Sequence, residues 1–222
     1  MNFPTPAVDY RNFRLSKLNT PQYRHLWLLL LWPAYIARYF LVEHLNPAVS
    51  YTVIHCALDD RIPFHEGFLV FYVLWYLAIF GMHLYTMLYD VDAFKRYSKF
   101  LILSLTISTT IFLVFPSCQE LRPETFSRDN LLTKIVGLLY AVDTNTNVFP
   151  SEHAIGALAV LAAAINTESL RSPGKIAGFT LLAVMISLST VFLKQHSILD
   201  VIAAVPICAV AYWFCYGRRE KK

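Results

Sequence analysis

Six apolar stretches, each close to the length that a helix needs to cross a bilayer, constrain this chain more than any other feature. A transmembrane helix takes about 20 mostly apolar residues to span a hydrocarbon core of about 30 Å. With 56% hydrophobic and 15% charged residues, the chain is predicted to be an all-α, polytopic membrane protein with a bundle of six transmembrane helices. The stretches, of which the fourth is short and rich in alanine, cover residues 25–45, 67–88, 97–115, 151–165, 176–193 and 198–216.

These stretches divide the chain into three parts. We expect a cytoplasmic N-terminal segment at 1–24, a membrane domain at 25–216 and a basic cytoplasmic tail at 217–222. Residues 1–24 lack the apolar core and small-residue cleavage site of a removable signal peptide, so the first span is expected to act as the targeting signal. No internal repeat of 20–50 residues supports a solenoid or an inverted-repeat transporter.

The distribution of basic residues predicts the orientation. Thirteen of the 19 Lys and Arg residues lie on the side of both termini, five lie on the other side, and Arg38 lies inside the first span. Because cytoplasmic loops carry an excess of basic residues, we expect an integral protein of the cell membrane, with loops 46–66 and 117–150 on the extracytoplasmic side. The net charge of +4 is too small and too dispersed for nucleic-acid binding, so membrane lipids are the expected surroundings.

Polar residues at membrane depth are costly, and here they gather at corresponding ends of several spans. The third span runs into 116–123, the fourth begins at 149–154, and the fifth and sixth meet within 189–200. With alternating crossings, all three segments lie on the outer side. The sequence therefore predicts that five side chains converge at one membrane interface: Arg122, Ser151, His153, His196 and Asp200.

These residue types suit phosphoryl transfer, which requires charge stabilisation and an in-line nucleophile and leaving group. Pro150 and Ser151 predict a helix start whose free amides bind phosphate, and His153 on its first turn can protonate a leaving alkoxide. Asp200, four residues after His196, is expected to share a helical face with it and to hold one imidazole nitrogen. An ordinary capped helix and a structural polar pair are the alternatives.

Three segments resemble the signature motifs of the type 2 phosphatidic acid phosphatase (PAP2) superfamily, KxxxxxxRP, PSGH and SRxxxxxHxxxD. They are Leu121-Arg122-Pro123, Pro150-Ser151-Glu152-His153, and Ser189 through His196 to Asp200. The resemblance covers about 67–216 and implies a six-helix, metal-independent enzyme that needs no cofactor and acts on a lipid phosphate. It implies that His196 attacks phosphorus to form a phosphohistidine, Asp200 orients His196, and His153 protonates the leaving group. It also implies that the phosphate is bound by Arg122 and Ser151, with Ser189 as a further candidate.

The departures from these motifs bear on the substrate. Phe115 stands where the first motif has lysine, and Thr190 where the third has arginine. Each lost charge-assisted contact is worth about 1.5–3 kcal/mol, so a dianionic substrate would bind poorly. Three explanations remain: the substrate is a phosphodiester or a diphosphate, the protein is inactive, or another cation substitutes, with Lys194 preferred over Arg128 and Lys134.

Four further polar features are expected to be structural. Glu152, in the place of the motif glycine, is expected to face away from the phosphate. Arg38 is expected to snorkel or to form a structural pair, with a lipid entry path as the alternative. Residues 143–147 are expected to shape a loop, with a head-group contact as the alternative, and Asp59 and Asp60 to be solvated. The histidines and acidic residues lack metal-ligand spacing, and no metal site is expected.

The sequence thus favours a membrane-embedded lipid phosphatase that hydrolyses a lipid phosphomonoester or diphosphate. The altered cation motifs also resemble the branch with inositol phosphorylceramide and sphingomyelin synthases, so the first alternative is a lipid phosphotransferase. The second alternative is a non-catalytic lipid-binding or transport protein.

Overall fold

The structure, a computed structural model, describes residues 5–45 and 50–217. The tail predicted at 217–222 lies outside this part of the chain, apart from its first residue. The described residues form one two-stranded parallel sheet, of β1 (Thr52–Val53) and β2 (Ser117–Cys118). They form seven α-helices: α1 (Leu31–Leu45), α2 (Leu69–Tyr89), α3 (Val91–Val114), α4 (Leu131–Val142), α5 (Glu152–Asn166), α6 (Pro173–Phe192) and α7 (Ile198–Tyr216).

The prediction of an all-α polytopic membrane protein is confirmed. Among the described residues, five helical segments are long and apolar enough to cross a membrane: Arg24–Glu43, Glu66–Tyr89, Val91–Val114, Pro173–Phe192 and Ile198–Tyr216. The first of them begins as a 3-10 helix at Arg24–Leu30 that continues into α1. The fourth predicted span forms α5, which at 15 residues is about 22 Å long, shorter than a hydrocarbon core.

Helix α5 forms the centre of the bundle and packs against α2, α3, α6 and α7. Its alanines allow these neighbours to approach closely, and six of them are buried: Ala154, Ala157, Ala159, Ala162, Ala163 and Ala164. Gly156 faces the indole of Trp75, and a Cβ added at Gly156 would lie 2.5 Å from the indole Nε1. The short α5 is therefore surrounded by protein along its length.

Helix α4 lies within loop 117–150, which was predicted to be extracytoplasmic, and is a short amphipathic helix that the sequence analysis did not identify. A capping box starts it, in which Asn130 accepts from the Thr133 amide and the Thr133 hydroxyl accepts from the Asn130 amide. Its Val136 is fully buried in a small core with Leu69 and Leu193, at the start of α2 and just after α6. This packing holds loop 117–150 against the bundle.

The two predicted outer loops meet at one end of the bundle. Strand β1, from loop 46–66, pairs with β2, from loop 117–150, in a register that matches Thr52 with Ser117. At the same end the Ser151 amide donates to the Asp200 carbonyl at 3.0 Å, which joins the starts of α5 and α7. The topology therefore brings the motif-bearing ends of the helices together, as the alternation of spans predicted.

Candidate active site

His196 lies in the short connection between α6 and α7. Helix α6 ends at Phe192, and Lys194 adopts a left-handed conformation with φ of 55°, which breaks the helical register. His196 thus precedes Ile198, the first residue of α7, by two positions. Ser189 lies in α6, so it does not share a helix with Asp200 of α7. The expectation that His196 and Asp200 share one helical face is therefore wrong, and a different geometry brings them together.

Asp200, in the first turn of α7, reaches back to His196. Its Oδ2 lies 3.0 Å from Nδ1 of His196 and also accepts from the backbone amide of Ser197 at 3.0 Å. Because a carboxylate only accepts, this contact places the imidazole proton on Nδ1 and leaves Nε2 of the neutral ring with its lone pair. The same carboxylate completes the capping box of α7 with Ser197, so the helix start fixes the orientation of His196.

His153 lies in the first turn of α5, after the capping residue Ser151. Its ring packs between Tyr72 and Trp75 of α2, at centroid distances of 4.4 and 4.7 Å, and its Nε2 is buried without a hydrogen-bond partner. The centroid of the His196 ring is 5.8 Å away. The imidazole of α5 and the imidazole of the α6–α7 connection therefore lie close enough to contact one small group between them.

Both histidines line a cavity of about 80 Å³. A water molecule needs about 10–15 Å³ of such space, so the cavity has room for the five heavy atoms of a phosphate group. Its charged lining comprises three carboxylates, Glu43, Asp143 and Glu152, but among the described Lys and Arg residues only Arg38. The carboxylates make this cavity unusual for an anion-binding site.

Arg122 does not line this cavity, although it lies close behind it. Its guanidinium donates to the carbonyls of Tyr140, Asp143 and Thr144 and to the side chain of Gln195, which does line the cavity. These bonds hold the 140–144 backbone to the α6–α7 connection. The structure thus shows Arg122 engaged with protein acceptors, and a phosphate contact stays a prediction.

The other three predicted substrate-binding residues are also bonded within the protein. The Ser151 hydroxyl accepts from the Ala154 amide and caps α5, whereas the Ser189 hydroxyl donates to the Ile186 carbonyl of its own helix. The Lys194 ammonium donates to the Asp59 carbonyl at 2.8 Å, and burial lowers its pKa. None of the three lines the cavity among the residues described, so their substrate contacts stay predictions.

Asp59 is fully buried beneath the α6–α7 connection, which corrects the expectation that it is solvated. Its Oδ2 accepts from the Ser197 hydroxyl at 2.6 Å and the Cys56 amide at 2.8 Å, and its Oδ1 accepts from the Ile198 amide at 2.9 Å. Burial opposes ionisation of the Asp59 carboxyl, but these hydrogen bonds outweigh it and hold its pKa below its ordinary value. Asp59 thereby fixes the chain that carries His196.

Glu152 points into the cavity, which corrects the expectation that it faces away. Arg38 of α1 binds it with two hydrogen bonds of 2.7 Å each, and Tyr35 and Ser108 also donate to the carboxylate. The sequence indicated that each of these two residues needs a partner, because a charge at membrane depth is not stable there alone, but it did not indicate which partner. The expectation of a structural pair for Arg38 agrees with this contact.

Four residues of the 143–147 segment line the cavity, in agreement with the predicted loop-shaping role of that segment. Glu43 of α1 holds this segment by accepting from the side chains of Thr144, Thr146 and Asn147. Asp143 accepts from the Tyr72 hydroxyl at 3.0 Å. Burial raises the pKa of Asp143, although the bond from Tyr72 opposes this. Sequence reasoning missed Glu43, whose neighbours along α1 carry no motif.

Comparison with known proteins identifies the family. The sequence profile of the PAP2 superfamily matches residues 97–222, which is more than half of the chain and includes His153, His196 and Asp200. The match begins within α3, so the cavity residues of α1 lie outside it. No curated protein and no solved structure matches the chain significantly. Among the residues described, no group of three or more His, Cys, Asp and Glu is placed to hold a metal ion.

Proposed function

The chain belongs to the PAP2 superfamily, and on this basis we propose that it is a membrane-embedded lipid phosphatase. Members of this superfamily are generally phosphatases or phosphotransferases. The observation that carries the proposal is the pair of imidazoles, His153 and His196, on one cavity with ring centroids 5.8 Å apart. The substrate proposed is a lipid phosphomonoester or diphosphate, and no cofactor takes part.

The first step joins phosphorus to His196. Its Nε2 lone pair attacks the phosphorus atom while the bond from phosphorus to the lipid oxygen breaks, and His153 in its protonated form donates a proton to that oxygen. Asp200 stabilises the positive charge on the His196 ring through the 3.0 Å contact to Nδ1. The lipid leaves as an alcohol, and the phosphoryl group remains as a phosphohistidine.

The second step returns the enzyme to its starting state. The neutral His153 takes a proton from a water molecule, whose oxygen attacks the phosphohistidine and displaces His196. Inorganic phosphate leaves with the water oxygen, and His153 is again protonated. A lipid alcohol in place of this water gives transfer instead of hydrolysis.

The charge of the cavity supports the phosphotransferase as a second candidate. With Glu43, Asp143 and Glu152 on its lining against Arg38, the cavity disfavours a phosphomonoester dianion more than a phosphodiester, which carries one negative charge. A phosphodiester donor is what a transfer of a lipid head group requires. The same attack by His196 serves both candidates, which differ in the donor they prefer and in the acceptor, water or a lipid alcohol.

The proposed location follows from the basic residues. The N-terminal segment packs at the end of the bundle opposite the cavity, where the Ala7 amide donates to the Leu88 carbonyl of α2. The positive-inside tendency then gives an active site on the extracytoplasmic side of the cell membrane, with 25–216 as one membrane domain.

The test uses purified protein in detergent and a panel of phosphatidate, phosphatidylglycerol phosphate, isoprenyl diphosphate and sphingolipid donors, each with and without a lipid alcohol. Release of inorganic phosphate supports the phosphatase, and transfer product without released phosphate supports the phosphotransferase. His196→Ala should abolish either activity, and a phosphorylated intermediate trapped by an alkaline denaturing quench, which preserves the acid-labile phosphohistidine, should disappear with it. Absence of turnover with every donor would overturn both in favour of a lipid-binding or transport role.

A further inference from the structure

A phosphoryl group between His153 and His196 needs a positive charge beside it. The two positions where the PAP2 motifs carry cations do not supply one. Phe115 follows the end of α3, and its ring packs against the ring of Phe149. Thr190 is fully buried, and its hydroxyl donates a hydrogen bond to a backbone carbonyl of its own helix. The cation must therefore come from elsewhere in the fold.

The other basic candidates near the site already have protein acceptors. Arg122 donates to three backbone carbonyls and Gln195, and Lys194 donates to the Asp59 carbonyl. Neither lines the cavity. In the part of the chain that the structure describes, Arg38 is the lysine or arginine that does.

Arg38 retains donors that its protein contacts do not use. Its Nη1 donates to Thr109 and Glu152, and its Nη2 donates to Glu152, which accounts for three of the five N–H bonds of a guanidinium. Its Nε is buried without a partner. A buried donor that lacks an acceptor is costly, and an anion in the adjoining cavity would supply that acceptor.

Resting on the proposed function, we propose that Arg38 is the cation that binds the substrate phosphoryl group and that Glu152 holds it in position. Glu152 stands where the PSGH motif has glycine, and its carboxylate fixes the planar guanidinium in a two-bond pair. The cation thus comes from α1, outside the residues that match the superfamily, and its anchor comes from inside the second motif.

The surroundings of Arg38 fit a lipid phosphate. Arg38 and Tyr35 line the polar cavity and also a groove of about 550 Å³ between α1 and α3, whose other lining residues are mostly apolar. The guanidinium therefore lies at the junction of a polar site and an apolar groove. In a lipid phosphate, the charged group and the hydrocarbon chain meet at such a junction.

The experiment must separate phosphate binding by Arg38 from simple neutralisation of Glu152. We would compare Arg38→Ala, Glu152→Gln and the double variant, with Arg61→Ala as an exposed arginine control. The readouts are KM and kcat for the donor that the wild type uses best, and the inhibition constant for inorganic vanadate. Glu152→Gln keeps an acceptor for Tyr35 and Ser108, and the double variant leaves no unpaired buried charge.

If Arg38 binds phosphate, the double variant should lose about 10- to 150-fold in kcat/KM relative to Glu152→Gln, with a matching rise in the vanadate inhibition constant. Glu152→Gln itself should bind vanadate more weakly than the wild type, because the amide cannot hold the guanidinium in the two-bond pair, but less weakly than the double variant does. Arg38→Lys should recover part of the loss, and Arg61→Ala should change none of these values.

A double variant within threefold of Glu152→Gln would overturn the proposal, because it would show that Arg38 only neutralises Glu152. Thermal unfolding of every variant verifies that the comparison is made on folded protein. Different results would refute the proposed function itself: absence of turnover in the wild type, or persistence of turnover in His196→Ala.

Discussion

Asp59 offers the sharpest test of how the fold positions His196. Replacement by alanine removes the acceptor of three hydrogen bonds, from Ser197, Ile198 and Cys56. Each bond to a charged acceptor is worth about 1.5–3 kcal/mol, and bonds that share one carboxylate are not additive. We therefore expect Asp59→Ala to lower the free energy of unfolding by about 3–5 kcal/mol. Asp59→Asn retains the shape and one acceptor oxygen, so its loss should be about 1.5–3 kcal/mol.

Activity should fall together with stability, because Ser197 and Ile198 directly follow His196. A displacement of about 1 Å in a reacting group costs about 100-fold in rate, which is the decrease in kcat expected for Asp59→Ala. The matched control is Asp60→Ala, whose carboxylate is 65% exposed in its pair with His55. An exposed pair contributes less than about 1 kcal/mol.

Denaturation in detergent and steady-state kinetics of the three variants and the wild type decide the question. If Asp59→Ala behaves like Asp60→Ala in both measurements, the proposed role of Asp59 is wrong. The pH dependence supplies an independent check. Because the folded-state pKa of Asp59 lies below its ordinary value of 3.8, its stabilisation is present above about pH 4 and is lost as the pH falls through the folded-state pKa. Asp59→Asn should lack this part of the acid destabilisation.

Three further predictions concern the site and the central helix. His153→Ala should slow hydrolysis of alkyl phosphates far more than that of an activated aryl phosphate, since an aryl leaving group needs no proton; equal slowing argues against an acid role. Gly156→Ala should destabilise the protein by about 1–3 kcal/mol and alter the fluorescence of Trp75, which the new methyl group displaces; an unchanged spectrum would contradict the packing described. Activity should persist in EDTA, and loss that added Mg²⁺ restores would refute the metal-independent mechanism implied by the family.

The positions of the helices were largely predictable from the sequence. The thickness of a bilayer sets the length of an apolar stretch, and all six predicted spans contain helices of the bundle. Alternation of crossings then placed the ends that carry His153 and His196 on one side. Helix α4 was not predictable in this way, because packing against the start of α2 and the residue after α6, and not the thickness of the membrane, determines its length.

The local geometry at His196 was only partly predictable. The four-residue spacing to Asp200 indicated the pair correctly, but the helix expected to carry both begins after His196. The left-handed conformation of Lys194 ends the previous helix early, and lysine has no intrinsic preference for that conformation. The sequence pattern therefore identified His196 and Asp200 as partners, but it did not predict the backbone conformation that brings them together.

The sequence by itself determined the membrane spans, their common end and the two histidines, since these follow from apolar length and from motifs of adjacent residues. Only the tertiary structure decided which charges meet in the site. Arg38 and Glu152 are 114 positions apart, and Asp59 and Ser197 are 138 apart. Neither separation leaves a periodic or local trace in the sequence. A charge at membrane depth must find an opposite charge or a donor, but the folding of the whole bundle selects which one it finds.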